Sequence, residues 1–188
     1  GEEKEFTTEP FTNYNMLVLD QSLPNASYIS LVNTNVLRSG PDTGRSYTAN
    51  VTAADIQLNT ASRLYSIHAI GSVSQKYFSD RRPGMGQSIA LAGGKTGGMY
   101  TARYELQVIS DDYDPNDMGY LRRNNLISNE ISFGYNQYTP RGPFYSSKNS
   151  LAVSYNRLYA PSAFNDFKIG LMSSSVLKSF WTLSFSIT

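Results

Sequence analysis

The sequence predicts an all-β protein: an antiparallel, up-and-down β-barrel of the outer-membrane type with about ten strands here, or a large part of such a barrel. Three observations predict it. Apolar and polar residues alternate with period two over long stretches. Helical periodicity is almost absent. The connections alternate between tight and longer. The clearest alternation lies on either side of residues 111–125, a long polar loop. Before it, Tyr100, Ala102, Tyr104, Leu106 and Val108 alternate with Thr101, Arg103, Glu105 and Gln107. After it, Ile127, Ile131, Phe133 and Tyr135 alternate with Ser128, Glu130, Ser132 and Asn136. Side chains on a strand point to opposite faces in turn, so each ribbon has one oily and one wet side. The oil is either a protein core or a lipid bilayer.

Taken in order, the strands are expected at 14–21, 27–37, 47–59, 64–77, 87–94, 99–110, 126–138, 144–159, 167–173 and 179–188. Several exceed the ~5–6 residues of a usual globular strand and reach the ~9–11 that a tilted membrane strand needs. The strand at 64–77 sets Tyr65, Ile67, Ala69, Val73 and Tyr77 against Ser66, His68, Ser72, Ser74 and Lys76. Leu151, Val153 and Tyr155 oppose Ser150, Ala152, Ser154 and Asn156, and Trp181, Leu183, Phe185 and Ile187 oppose Thr182, Ser184, Ser186 and Thr188. Two strands fit less well. The run 47–59 exchanges its faces near Ala53-Ala54, which predicts a bulge, and 27–37 is blurred by Asn33 and Asn35. Connections at 24–25, 60–62, 95–98 and 139–143 are short. Those at 39–46, 79–86, 111–125 and 160–166 are longer, an asymmetry typical of outer-membrane barrels, and the last, 174–178, fits the short side only loosely. Tyr14, Tyr47, Tyr77, Phe78, Tyr100, Tyr138, Phe144, Tyr145, Tyr159 and Phe180 stand near strand ends, where an interfacial aromatic girdle would sit. Ordinary β-propensity would also put aromatic residues in strands.

Composition narrows the classes. The 188 residues suffice for one sizeable domain, and a net charge of +1 gives no reason to expect nucleic acid as a partner. The chain lacks cysteine, so it has neither disulfides nor thiolate metal sites. Mean hydropathy is mildly negative, as it is for barrels whose lumen-facing half is polar. No apolar run approaches the ~20 residues of a spanning helix. No signal peptide is read, and the charged opening Gly1-Glu2-Glu3-Lys4-Glu5 looks like the start of a mature product or a fragment. Residues 1–12 are expected to be a disordered or linker start, and 13–188 the barrel domain, present in part.

Four groups of residues could carry chemistry. The loop residues Asp111, Asp112, Asp114, Asn116, Asp117, Arg122 and Arg123 are the sharpest ligand candidates. Asp112, Asp114 and Asn116 have the spacing that opens an EF-hand Ca²⁺ loop, but Asp117 stands where glycine is needed and Arg123 where a bidentate Glu is needed. The simpler reading is a set of turns built by Asp, Asn, Pro115 and Gly119, with Arg122 and Arg123 folded back onto the carboxylates. Arg103, Glu105 and Glu130 share the polar face of neighbouring strands and are expected to line a lumen, together with His68. The bland alternative is a cross-strand charge network. Paired Glu105 and Glu130 also raise glycoside hydrolysis, which needs two carboxylates about 5–9.5 Å apart. His68 is the only histidine, so it cannot form a histidine metal cluster, and it has no nucleophile motif nearby. Gly93-Gly94-Lys95-Thr96-Gly97-Gly98 lacks P-loop spacing and reads as a glycine-rich β-turn. No cofactor is expected and no catalytic residue is assigned.

The run Asp114-Pro115-Asn116-Asp117-Met118-Gly119-Tyr120, followed by a polar loop rich in Asn and Arg, resembles a signature of Bacteroidota outer-membrane proteins. Those proteins carry an N-terminal family-9-like carbohydrate-binding domain and a C-terminal β-barrel domain of unknown function. Asn13-Tyr14-Asn15, Asn33-Thr34-Asn35-Val36 and Tyr155-Asn156-Arg157-Leu158-Tyr159 are similar as well, so the resemblance runs from about Asn13 to the end of the chain. It implies residence in the bacterial outer membrane, with lipid as the solvent of the apolar face. It also implies a channel, receptor or scaffold role linked to carbohydrate handling. Partners would be a saccharide ligand and other outer-membrane or surface proteins. Long loops such as 111–125 would then face outward. Two other readings remain open at this stage: a soluble β-sandwich that binds carbohydrate, and a glycoside hydrolase using Glu105 and Glu130.

Overall fold

The structure, a computed structural model, describes residues 10–40 and 46–188. The first nine residues of the expected 1–12 opening, and most of the 39–46 connection, lie outside the described residues. Ten strands form one sheet: β1 (Phe11–Leu23), β2 (Ser27–Ser39), β3 (Tyr47–Asn59), β4 (Tyr65–Phe78), β5 (Gly84–Lys95), β6 (Tyr100–Ile109), β7 (Leu126–Gln137), β8 (Phe144–Arg157), β9 (Phe164–Leu177) and β10 (Thr182–Ile187). Each pairs antiparallel with its sequence neighbour, in the order β1 to β10. β1 and β10 do not pair with each other, so the sheet is open. The up-and-down order follows from the connections. Consecutive antiparallel strands need only a short link, as at the 3₁₀ turn Pro24–Ala26, where Asn25 takes a φ of 63°. Phe11 and Thr12 belong to β1, so the expected linker start ends before them.

Register assigns the faces, because directly paired residues lie on the same side. One face carries Leu17, Leu31, Ile67, Tyr104, Phe133 and Leu171 with their neighbours; the other carries His68, Arg103, Glu105, Glu130 and Lys168. Among the described residues no second protein layer lies against the apolar face. Leu17, Ile67, Phe133, Ile169 and Phe185 are each about half exposed, and the buried hydrophobic residues among those described are Val36, Ala49, Ile109 and Tyr113. Asn129 stands within the apolar face and accepts a hydrogen bond from the Tyr104 hydroxyl at 2.8 Å.

The expected bulge at Ala53-Ala54 does not occur. β3 keeps an unbroken register with β2 and β4 through both residues. What changes there is the surroundings. Below this point Ile56 and Leu58 extend the apolar face. Above it that face turns polar, with Asn33, Asn50 and Thr52 hydrogen-bonded to one another. On the opposite side Val36 and Ala49, paired with each other, are buried. The same exchange explains the blurred pattern of β2. Irregularity lies instead in the β8–β9 pairing, between Phe144 and Ser146 and between Asn156 and Arg157.

The apolar residues form an oblique band. The transverse row through Leu31 runs Ala54, Gly71, Ile89 and reaches β6 at Val108. The row through Phe185 runs Ser173, Asn149, Tyr135 and reaches β6 at Tyr100. From β2 to β10 the band therefore slips from the level of Val108 to that of Tyr100, eight residues along β6. With about 3.3 Å per residue and about 4.8 Å between strands, that slip corresponds to strands tilted roughly 35° to the band.

Candidate functional site on the polar face

The polar face holds two features, a groove at mid-height and a loop lying across its upper part. The floor of the groove is β5. Its polar-face positions are Gly84, Gly86, Ser88, Ala90, Ala92 and Gly94, so no long side chain rises from this strand. Space of about 350 Å³ remains above Ala90 and Ala92, walled by His68 and Ile70 on one side and by Arg103, Glu105, Gln107 and Glu130 on the other. The structure thus brings His68, Arg103, Glu105 and Glu130 together, as their shared register requires: His68 pairs with Ala92, Ala92 with Glu105 and Glu105 with Glu130.

Within this group Arg103 Nε donates to Glu105 Oε1 at 2.5 Å. Glu105 and Glu130 stand directly opposite on adjacent strands, a like-charge placement that costs energy unless a cation is near; Arg103 supplies one. His68 is tied elsewhere. Its Nε2 lies 2.7 Å from Asp55 Oδ1, and Tyr28 donates its hydroxyl to Asp55 Oδ2 at 3.2 Å. Asp55 and Tyr28 escaped sequence reasoning, because nothing local marks them and only register sets them beside His68. A wider space of about 650 Å³ opens lower on the face of β6–β10, beside Thr101, Lys148, Ser150, Ser174 and Ser184.

The β6–β7 loop does not stand off the end of the sheet. Its first half turns back over the polar face. The Tyr113 hydroxyl lies 2.7 Å from Ser72 Oγ, and the backbone N–H of Asp114 donates to Ser74 Oγ at 3.0 Å. Lys76 Nζ lies 2.6 Å from Asp114 Oδ2 and 2.8 Å from Asp117 Oδ2. Tyr47 donates to Asp117 Oδ1 at 2.6 Å, and Arg38 Nη2 is 3.6 Å from the same oxygen. The chain thus crosses β5, β4 and β3 to reach β2, with the Asp117 side chain only 8% exposed. Gly86 permits the crossing: a Cβ there would fall 2.2 Å from the Tyr113 nitrogen.

These contacts account for the loop acids differently from the sequence reading. Lys76 and Arg38, rather than Arg122 and Arg123, meet Asp114 and Asp117. Arg122, Arg123, Asp111 and Asp112 line a hollow of about 430 Å³ within the loop itself. Asp114 Oδ1 accepts from the backbone and side-chain nitrogens of Asn116 at 3.1 and 2.8 Å, an Asx turn. Both Asp114 oxygens are therefore occupied by protein donors, which leaves the Asp112, Asp114, Asn116 set poorly suited to Ca²⁺. Among the described residues no three His, Cys, Asp or Glu side chains are grouped to hold a metal ion. Burial works to raise the Asp114 pKa. The Lys76 ammonium and the Asn116 N–H outweigh it and hold the carboxyl below its ordinary value.

The aromatic residues near strand ends divide between the faces. Tyr100 and Tyr135 pair at 5.3 Å between ring centres on the apolar face, and Tyr155 meets Phe164 at 5.9 Å near the other end. Tyr47 and Phe78 pair at 5.7 Å on the polar face, where Tyr47 serves Asp117.

Fold and faces together define an all-β protein: a single open, up-and-down antiparallel sheet with an apolar side and a grooved polar side. The whole chain, residues 1–188, matches a family described as a domain of unknown function (DUF5916), and the protein belongs to that family. No curated protein and no solved structure matches it.

Proposed function

We infer that this sheet is part of an outer-membrane β-barrel, with lipid against the apolar face and a water-filled lumen against the polar one. The oblique, uncovered apolar band carries this reading. A tilt of roughly 35° falls within the ~35–45° of transmembrane barrel strands. In water, half-exposed side chains such as Leu17, Ile67, Phe133, Ile169 and Phe185 would forgo much of the roughly 1.5–3 kcal/mol each that full burial contributes, leaving little to oppose the chain entropy lost on folding. A sandwich would cover that face with a second layer, and the described residues supply none. The free edges agree with continuation into a larger barrel. β1 has Asp20 as its single charge, and β10 has neither charge nor proline, whereas exposed edges are usually guarded by such residues.

The lumen reading assigns His68, Arg103, Glu105 and Glu130 to the wall of a hydrophilic passage. The Arg103–Glu105 bond favours a charge network over a hydrolytic pair. Channel, receptor or scaffold activity in the bacterial outer membrane follows, and the link to saccharides rests on the sequence resemblance alone. The test is solubility. The purified protein should be monodisperse in detergent and aggregate on its removal; a monodisperse, folded protein in plain buffer would refute the reading.

A further inference from the structure

The β6–β7 loop spans the polar face from β5 to β2, and every strand residue it grips points to that face. We propose that residues 111–125 form an internal strap that narrows the passage and sets the size of hydrophilic solute that can use it. This deepens the lumen reading above and rests on it. A loop meant only to meet ligands outside would gain nothing by burying a carboxylate against three separate strands. Asp117 does so, meeting Arg38 of β2, Tyr47 of β3 and Lys76 of β4. The sequence of the floor is matched to the strap, since Gly86 leaves room for Tyr113 and Ser72 and Ser74 offer hydroxyls to it. The groove walled by His68 and Glu105 lies lower on the same face, so a solute moving along that face would pass beside the strap. A small polar solute without negative charge fits this path, because the two glutamates outnumber Arg103 along it.

The experiment uses planar bilayers and liposomes. It needs three substitutions in a chain that has no cysteine of its own. Asp117→Asn removes the charge at the centre of the grip. Ser74→Cys with Asp114→Cys, added to it, allows a disulfide to clamp the strap down or release it. In its reduced form the combined variant should show at least twice the wild-type single-channel conductance, and liposomes should admit larger saccharides; oxidation should return both to the wild-type level. Equal conductance in the oxidised and reduced forms would overturn the strap, even with the barrel intact in the membrane. Absence of conductance from every inserted form would also overturn it. A chain that never inserts would instead bring down the lumen reading from which it follows.

Discussion

Placing an arginine at Ile131 should cost far more than placing one at Ser132. The two residues are adjacent in β7 and point to opposite faces. Ile131 sits in the middle of the apolar band, flanked by Tyr104 and Val153 in its row, and is 41% exposed to whatever surrounds the sheet. If that surrounding is hydrocarbon, Ile131→Arg should cost about 2–4 kcal/mol, the range for arginine at the bilayer midplane. If it is water, a substitution at so open a site should fall within about 0.5 kcal/mol. Ser132→Arg places its charge on the polar face and should stay near that lower figure. Asn15→Arg adds a depth control, since Asn15 is on the same face as Ile131 but beyond the band, among Asn35 and Asn50. It should cost about 0–1 kcal/mol. Reversible urea unfolding from lipid vesicles measures all three. A cost of 3 kcal/mol shifts the folding equilibrium more than a hundredfold, well outside error. Equal costs at Ile131 and Ser132, or a cost at Asn15 matching that at Ile131, would refute the assignment of faces to lipid and water.

Three further outcomes follow from the polar face. Asp114 has a lowered pKa, so its stabilisation of the strap is complete above the unfolded value of 3.8 and disappears as pH falls through the lower folded value. Nicking of residues 111–125 by an acid-active protease should therefore rise only below about pH 4, and Lys76→Met should weaken that dependence. Asp55→Asn should cost about 1 kcal/mol by weakening the links from Tyr28 and His68, as read by unfolding midpoint; no change would mean the chain of contacts is slack. Calcium titrated calorimetrically into the protein should give no saturable heat, because Lys76 and Asn116 already occupy Asp114; a binding isotherm abolished by Asp114→Asn would contradict this.

Much of the fold was legible because it is local. About ten strands were expected and the described residues form ten, and β3 has the bounds read from the sequence, since alternation and turn residues encode a hairpin within a dozen positions. Strand order follows for the same reason. The gathering of His68, Arg103, Glu105 and Glu130 was legible as a shared polar face. The grip on Asp117 was not, because Arg38, Tyr47 and Lys76 come from three strands and lie between 41 and 79 residues away in sequence. Asp55 was hidden likewise. One trace was present and misread. The exchange of faces at Ala53-Ala54 marks where the strap region begins to bury the upper polar side and where the opposite face leaves the apolar band. A bulge would also exchange faces, and sequence alone does not separate a kink in the strand from a change in what lies beside it.

The most direct test asks what touches each face. In a Trp181→Phe background, which removes the single native tryptophan, tryptophan is placed at Phe133 or at Ser132 and the protein is reconstituted into vesicles of lipid brominated on its acyl chains. Fluorescence from Phe133→Trp should be strongly quenched and that from Ser132→Trp left nearly intact. Quenching at Ser132, or at neither position, would contradict a bilayer against the apolar side.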